Sequence, residues 1–482
     1  GDLMHAALSL LKSQYTHMTA DSRQVKAGSV FVAYKGEAAD GRQYIDQAIK
    51  NGASAVVWEQ GGFNWNSNWQ VPNQAVDCLK QKAGEIASEF YGQPSQKLWM
   101  IGVTGTNGKT TCTHWLAQAF AALKRQSAVI GTLGNGLLSH GLSETKNTTP
   151  DSILLHAMLA EFLKQKAEVV AMEVSSHGLD QGRVNGVAFD IAVFTNLTRD
   201  HLDYHGDMAA YANAKKKLLV WDGLKVAVLN LDDDFGAEVA AELKAKNKHV
   251  MTYSITKNDA DVFAKTVKFS ESSMVLEVKT PKGNAVIHAN VVGQFNAYNL
   301  LAVLTTLLAS DVSLSDAVKA LATLKPVAGR MQQYGGGKMP LVVIDYAHTP
   351  DALEQVLKSL RAQTKGQLVC VFGCGGDRDS GKRPLMGKVS SELADQVIVT
   401  SDNPRSESPK AIIQAVMGGV KQNAISIENR ADAISHAIKN AHAGDVILLA
   451  GKGHENYQEI AGVKYPFSDV EIAQQMLQER AA

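Results

Sequence analysis

Net charge is the first thing this sequence lacks: 48 Lys and Arg balance 48 Asp and Glu, so the field expected of a general nucleic-acid or anionic-membrane binder is missing. Long apolar runs are missing too. None approaches the ~18–20 residues needed to span a bilayer, and no charged-then-apolar leader opens the chain, so a cytoplasmic protein with neither membrane insertion nor a nucleic-acid partner is expected. Cysteine is scarce. Only Cys78, Cys112, Cys370 and Cys374 occur, too few and too scattered for a disulfide framework. Cys370 and Cys374 flank a strand end with no second Cys or His pair nearby, which favours packing over zinc. Internal repeats and low-complexity tracts are absent as well.

Glycine, by contrast, is plentiful, at 40 residues against 11 prolines in a chain of 482. At ~150 residues per domain that length suggests about three domains. Short apolar runs end in Gly or Asp and give way to amphipathic stretches, which is how repeated strand, loop and helix units of an α/β fold read. Residues 1–92 form a first block, with apolar runs at Val30–Ala33 and Ala55–Trp58, a loop rich in Gly, Asn and Trp, and an amphipathic helix over 77–90. GQPSQ at 92–96 reads as a linker. The second block, 93–327, opens with LWMIGV, GTNGKTT and a helical stretch at 113–123, the strand, phosphate loop and helix order of a P-loop domain built on a parallel sheet. Further strands are expected at Val169–Met172, Ile191–Thr195 and Val226–Asn230. The third block, 328–482, alternates strands near Leu341–Ile344, Leu368–Phe372, Val397–Thr400 and Val446–Leu449 with helical stretches. That alternation predicts a doubly wound, Rossmann-like domain.

In GVTGTNGKTT the backbone from Gly105 to Thr110 can turn its N–H groups inward, because glycine permits the curvature, and the next helix adds its positive end. Phosphate is the natural guest. Lys109 would reach the terminal phosphates and the Thr110 hydroxyl would take one position on Mg²⁺. Val103 stands where G-x-x-x-x-G-K-[ST] carries glycine, so the loop is a variant whose context, a strand before and a helix after, supplies the rest. A nucleoside triphosphate and magnesium follow. Motor, kinase and ligase remain open.

Acidic and histidine groups gather at other strand ends. Glu173 closes the apolar run EVVAM, a place for a magnesium ligand. TNLTRDHLDYHGDM puts Asp200, His201, Asp203, His205 and Asp207 after the strand at 191–195, with His201 a candidate metal or phosphate ligand. Asp345 and His348 in VVIDYAHTPDAL repeat the pattern, and together these groups suggest a cleft between domains.

GTNGKTT, AMEVSSHGLDQGR, NLTRDHLDYHGDM, GQFNAYN, GRM, DYAHTPDAL, GDRDSGKRPLM, DNPR and GKGHE occur in that order. Their order and spacing, over essentially the whole chain, resemble the Mur ligase family. Within it the pattern is similar to that of members that add meso-2,6-diaminopimelate to UDP-N-acetylmuramoyl-L-alanyl-D-glutamate, and ADSRQVKAGSVFVAYKGEAADG looks like their uridine-nucleotide domain. The resemblance implies an ATP-dependent amide ligase of peptidoglycan precursor synthesis that releases ADP and phosphate. It also implies two Mg²⁺ ions; a monomer is expected.

Residue by residue, the resemblance implies that Ser22 and Glu37, Ala38 and Ala39 contact the uridine nucleotide. Asn147, Thr148, Thr149, Ser175, Gln181 and Arg183 would hold the muramoyl dipeptide. Gly105, Thr106, Asn107, Gly108, Lys109, Thr110 and Thr111 would hold ATP, with Asn296 and Asn299 at adenine and Arg330 and His348 approaching from the third domain. Lys215 falls where the family carries a carbamylated lysine, which with Thr110, Glu173 and His201 would complete the metal sites. Arg378, Asp402, Asn403, Pro404, Arg405, Gly451 and Glu455 would take diaminopimelate. The chemistry suits these groups. A carboxylate resists an amine until phosphorylation supplies a leaving group, and Lys109, Arg330 and Mg²⁺ would offset the repulsion of anionic oxygens. Paired Arg378 and Arg405 suit a distal carboxylate that lysine lacks. A folate-extending ligase shares the phosphate loop and domain order but not DNPR, NTT or SSHGLDQGR. A P-loop switch would need no amino-acid site in a third domain.

Overall fold

The apolar runs become strands, as their burial requires: residues such as Ile101, Val170, Val193 and Leu448 are wholly inaccessible, which suits parallel strands covered on both faces. The computed structural model describes residues 14–36, 39–143, 149–197, 208–270, 273–291, 295–361 and 364–482. They fall into two compact units, one running to Leu324 and the other from Lys325 to Ala482 together with Val291.

The first unit holds two sheets. A four-stranded parallel sheet runs in sequential order through β1 (His17–Thr19), β2 (Ser29–Ala33), β3 (Ala55–Glu59) and β4 (Asn73–Val76). Helix Leu79–Phe90 covers one face. Helix Ile45–Lys50 and the loop aromatics Phe63, Trp65 and Trp69 cover the other. The second sheet comprises β5 (Trp99–Thr104), β6 (Ser127–Gly131), β7 (Gly134–Leu137), β8 (Val169–Glu173), β9 (Ile191–Phe194), β10 (Val226–Asn230), β11 (Val250–Ser254), β12 (Val262–Phe269), β13 (Met274–Thr280) and β14 (Gly283–Ala289). Its order is β14-β13-β12-β11-β10-β9-β5-β8-β6-β7. β5 sits between β8 and β9, with β6 beyond β8, so the order reverses beside it and opens a ligand crevice at the carboxyl ends. β12 to β14 form an antiparallel extension whose buried and exposed residues alternate, as in Met274, Leu276 and Val278 against Glu277 and Lys279.

Two readings change. The helix after the phosphate loop begins at Lys109, not at 113, and runs to Ala122: the loop feeds directly into the first helical turn, whose free N–H groups face the phosphate position. GQPSQ is not a loose linker. Pro94–Lys97 is a 3-10 turn, and buried Ser95 accepts the Ala188 N–H at 2.9 Å.

In the second unit, β15 (Gln332–Gly335), β16 (Leu341–Asp345), β17 (Leu368–Phe372), β18 (Gln396–Val399), β19 (Ala424–Ser426) and β20 (Val446–Ala450) form a sheet in the order β15-β16-β20-β17-β18-β19. Only β15 is antiparallel. Leu357, Met386 and Val416 pack on one face and Ile434, Ile438 and Leu477 on the other, so this sheet is doubly wound. A hairpin, β21 (Tyr457–Ile460) and β22 (Val463–Pro466), follows. Among the described residues no helix is long and apolar enough to cross a membrane.

Candidate active site

β5 ends at Thr104 and the chain turns at Gly105 with φ at 140°. A Cβ there would stand 1.9 Å from Thr195 Oγ1, so glycine alone lets the loop lie against the end of β9. Asn196 ties the loop down. Its backbone carbonyl accepts from Thr106 N–H at 2.7 Å, its side-chain carbonyl accepts from Asn107 N–H at 2.9 Å, and its amide donates to Asn107 O at 3.2 Å. Sequence reasoning passed over Asn196; its signal was its place as the first amide after a buried strand. Gly108, with φ at 89°, leaves room for Asn299, whose Oδ1 would lie 2.5 Å from a Cβ at that position. The Asn299 amide reaches Asn296 Oδ1 at 3.0 Å, and Cys112 Sγ lies 3.5 Å from Asn299 Oδ1. Asn299 therefore adjoins the loop, and Asn296 is bonded to Asn299. Burial pushes the Cys112 thiol up to about 12, so it packs rather than reacts.

Lys109 and Lys215 converge on one carbonyl, donating to Gly105 O at 2.7 and 2.9 Å. Lys215 is 1% exposed. Burial, and then the neighbouring Lys109, hold its ammonium well below the usual range. The next lysines turn elsewhere: Lys216 pairs with Glu242 at 2.5 Å and Lys217 with Asp180 at 3.1 Å.

β8 delivers Glu173 to the same crevice, buried. One carboxylate oxygen accepts from the Thr110 hydroxyl at 2.9 Å and the Thr132 hydroxyl at 3.2 Å, and the other from Thr132 N–H at 2.8 Å. A Cβ on Gly131 would stand 1.8 Å from Glu173 Oε2. Thr132 and Gly131 escaped the sequence reading. A buried carboxylate beside a hydroxyl is a hard oxygen set that fits Mg²⁺. Among the described residues no three His, Cys, Asp or Glu side chains gather as a metal site. His201, Glu37, Ala38, Asn147 and Thr148 lie outside the described residues.

The candidate dipeptide residues meet beyond Glu173. Thr149 Oγ1 donates to Glu173 O at 3.1 Å and lies 3.4 Å from Ser175 Oγ, and Arg183 Nη1 donates to Thr149 O at 3.3 Å. Ser175 caps helix Ser176–Asp180 by accepting Gly178 N–H at 2.9 Å. Lys80, also missed, donates to Gln181 Oε1 at 2.7 Å from helix Leu79–Phe90. Ser22 follows β1 and is buried, and Ala39 follows β2, so both lie at the carboxyl edge of the first sheet. Tyr34, in that edge loop, is pushed up to about 12 by burial, with Asp151 raising and Arg183 lowering it.

In the second unit the candidates line the carboxyl edge of the six-stranded sheet. Arg330 Nη1 lies 3.5 Å from Asp345 Oδ2 and its guanidinium 5.8 Å from the Tyr346 ring, while His348 is exposed with Nδ1 3.1 Å from Tyr346 O. After β17, Gly375 keeps Arg405 close: a Cβ there would stand 2.8 Å from Arg405 Nη1 and 3.8 Å from Arg378 Cγ. After β18, Asp402 pairs with Lys452 at 2.9 Å. Asn403 accepts from Lys452 Nζ at 3.0 Å and donates to Glu455 Oε1 at 3.4 Å. Lys452 is fully buried and also donates to Tyr457 O at 2.8 Å. Burial pushes the Glu455 carboxyl up, against the pull of Lys452. Pro404 and Gly451 stand on the same two loops, Gly451 with φ at 109°.

Three family models match in succession: Mur ligase family, catalytic domain, at 14–91; Mur ligase middle domain at 103–307; and Mur ligase, glutamate ligase domain, at 329–453. The chain belongs to the Mur ligase family. It is therefore an ATP-dependent, amide-forming ligase. A Chromobacterium violaceum protein named UDP-N-acetylmuramoyl-L-alanyl-D-glutamate--2,6-diaminopimelate ligase is 52% identical over 98% of this chain and 96% of its own. A solved structure under that ligase name is 38% identical, with a TM-score of 0.64, over 97% of this chain and 96% of its own. A Mycobacterium tuberculosis folylpolyglutamate synthase, solved with ADP and AMPPCP, is 19% identical with a TM-score of 0.56, over 77% of this chain and 92% of its own. That last likeness is one of fold alone.

Proposed function

We propose that this Mur ligase joins meso-2,6-diaminopimelate to the D-glutamyl γ-carboxylate of UDP-N-acetylmuramoyl-L-alanyl-D-glutamate, converting ATP to ADP and phosphate, in the cytoplasm. The observation that carries this reading is the amino-acid end of the second unit, where Arg378 and Arg405 flank Gly375 and Asn403 joins the Arg405 loop to Glu455. A distal zwitterion matches that set: carboxylate to guanidinium, ammonium to Glu455 and the Gly451 carbonyl. Lysine would leave the guanidinium unmatched.

In the first step a γ-carboxylate oxygen attacks the γ-phosphorus of ATP and ADP leaves. The inward N–H groups of the loop and Lys109 hold the phosphates and offset the charge of the incoming anion. In the second, the neutral diaminopimelate amine attacks the acyl carbon; the carbonyl re-forms as the bond to the bridging oxygen breaks, phosphate leaves with that bridging oxygen, and the new amide nitrogen gives up one proton. Thr110, Glu173, His201 and carbamylated Lys215 would hold Mg²⁺, which when bound neutralises phosphate charge. Thr149, Ser175, Gln181 and Arg183 orient the dipeptide.

The test is phosphate release with ATP, nucleotide dipeptide and each of meso-diaminopimelate, lysine, ornithine and glutamate. Release only with all substrates present, and fastest with diaminopimelate, is expected. Equal turnover of lysine would overturn the assignment.

A further inference from the structure

The hairpin of β21 and β22 lies just past GKGHE, and its first strand and turn contact Arg405 at three points. Arg405 N–H donates to Glu459 O at 3.0 Å, Ala461 N–H donates to Arg405 O at 2.7 Å, and Arg405 Nε lies 3.3 Å from Glu459 Oε2. Arg405 holds φ at 52°, a left-handed conformation uncommon outside glycine, and these bonds fix it there. On the other edge of the guanidinium, Nη1 donates to Gly376 O at 2.9 Å. Contacts at Nε and Nη1 thus hold the plane, and among the described residues Nη2 makes no hydrogen bond.

We propose that Glu459 is a positioning residue for amino-acid selection, orienting Arg405 so that its Nη2 end receives the distal carboxylate of diaminopimelate. The inference rests on the proposed function and deepens it. Glu459 acts through geometry more than charge, since the pair is partly open to solvent, with side chains 20% and 28% exposed. An arginine free to rotate about its last bonds would have to be ordered by the ligand itself, and part of the binding free energy would go to that ordering. A neutral acceptor of the same shape keeps the anchor; an apolar side chain of similar size does not.

The experiment compares the full-length wild type with Glu459→Leu and Glu459→Gln in the phosphate-release assay. Glu459→Leu should raise KM for diaminopimelate about three- to fivefold, the loss of one partly exposed ion-pair contact, with kcat changed by less than about twofold. KM for ATP and for the nucleotide dipeptide should stay put. Residual turnover of lysine, which has no distal carboxylate, should not change, so the preference for diaminopimelate narrows by the same factor. Glu459→Gln should recover most of the lost affinity. An unchanged KM for diaminopimelate in Glu459→Leu, a rise in all three KM values together, or no recovery by glutamine would each overturn the inference while leaving the proposed function intact. A wild type that releases no phosphate with diaminopimelate would overturn both.

Discussion

Gly131→Ala adds one carbon, and the structure says where it goes. The new Cβ would stand 1.8 Å from Glu173 Oε2, 2.7 Å from its Cδ and 3.1 Å from its Cγ. Ordinary contact begins near 3.4 Å, so the carboxylate must retreat by about 1.6 Å. That movement breaks the 2.8 Å bond from Thr132 N–H and separates Glu173 from the Thr110 hydroxyl, now 2.9 Å away. Misplacing a reacting constellation by ~1 Å can lower the rate ~100-fold, and a fall in kcat/KM of about that size is expected in the phosphate-release assay. The backbone itself does not resist alanine, because Gly131 is not among the residues with positive φ. Thermal unfolding should therefore shift by only what ~1–3 kcal/mol of overpacking produces. Thr132→Ala is the control: it removes the 3.2 Å hydroxyl contact but keeps the N–H bond, and its loss should stay below about tenfold. A Gly131→Ala enzyme with wild-type kcat/KM would refute the claim that Glu173 must sit where it does.

Lys215→Ala should lower activity by at least ~100-fold, the scale on which even the outer partners of a metal matter, with partial recovery on adding short carboxylic acids; full activity in the variant would contradict the carbamate role. Arg405→Lys replaces a planar fork with a point charge, and KM for diaminopimelate should rise ~10–100-fold in steady-state assays. Arg430 and Asp469 form a fully buried pair at 2.8 Å, so Arg430→Met should destabilise the second unit by ~3–5 kcal/mol in urea unfolding, and an unshifted midpoint would count against it. Buried His156 has Nε2 at 2.9 Å from Asn185 O, so that nitrogen donates there, and Nδ1 has no partner among the described residues. Burial lowers its pKa from 6.5 to about 4. The unfolded chain therefore takes up the proton first: this contribution is whole above pH ~6.5 and is lost as pH falls towards 4, amounting to about 2 kcal/mol by pH 5. His156→Gln should flatten that part of the stability profile measured by denaturant unfolding between pH 7 and 5.

Eight strands of the two larger sheets, β5, β8, β9, β10, β16, β17, β18 and β20, were legible because burial on both faces demands unbroken apolar runs, while β6, buried throughout, was passed over because Ser127 and Gly131 shorten its apolar run to three residues. Val226–Asn230 and Leu368–Phe372 carry that signal residue for residue. The antiparallel extension escaped because only one side of each strand is apolar: in MVLEVKT, charged Glu277 and Lys279 interrupt the run that the eye follows. Lys109–Ala122 was placed four residues late for a related reason. Its opening KTT is polar because it faces a ligand position, so hydrophobic pattern could not mark it as helix.

Lys109 and Glu173 could be proposed from local pattern, a glycine-rich loop and a carboxylate closing an apolar run, whereas Arg405 stood out only through the family resemblance. What stayed hidden were the residues that hold those groups in place. Asn196, Thr132, Lys80 and Glu459 reach their partners across 89, 41, 101 and 54 residues of chain respectively, counting Asn196 to Asn107, Thr132 to Glu173, Lys80 to Gln181 and Glu459 to Arg405. No local spacing encodes such a contact, because the sheet order that creates it depends on which strand crosses to which side. Glycine is the partial exception. Gly105, Gly131 and Gly375 each mark a place where a side chain from a distant element occupies the volume a Cβ would take, namely Thr195, Glu173 and Arg405. A glycine at the carboxyl end of a buried strand therefore marks a close approach without naming the partner, and at Gly373, just after β17, that partner is the Thr400 backbone carbonyl rather than a side chain.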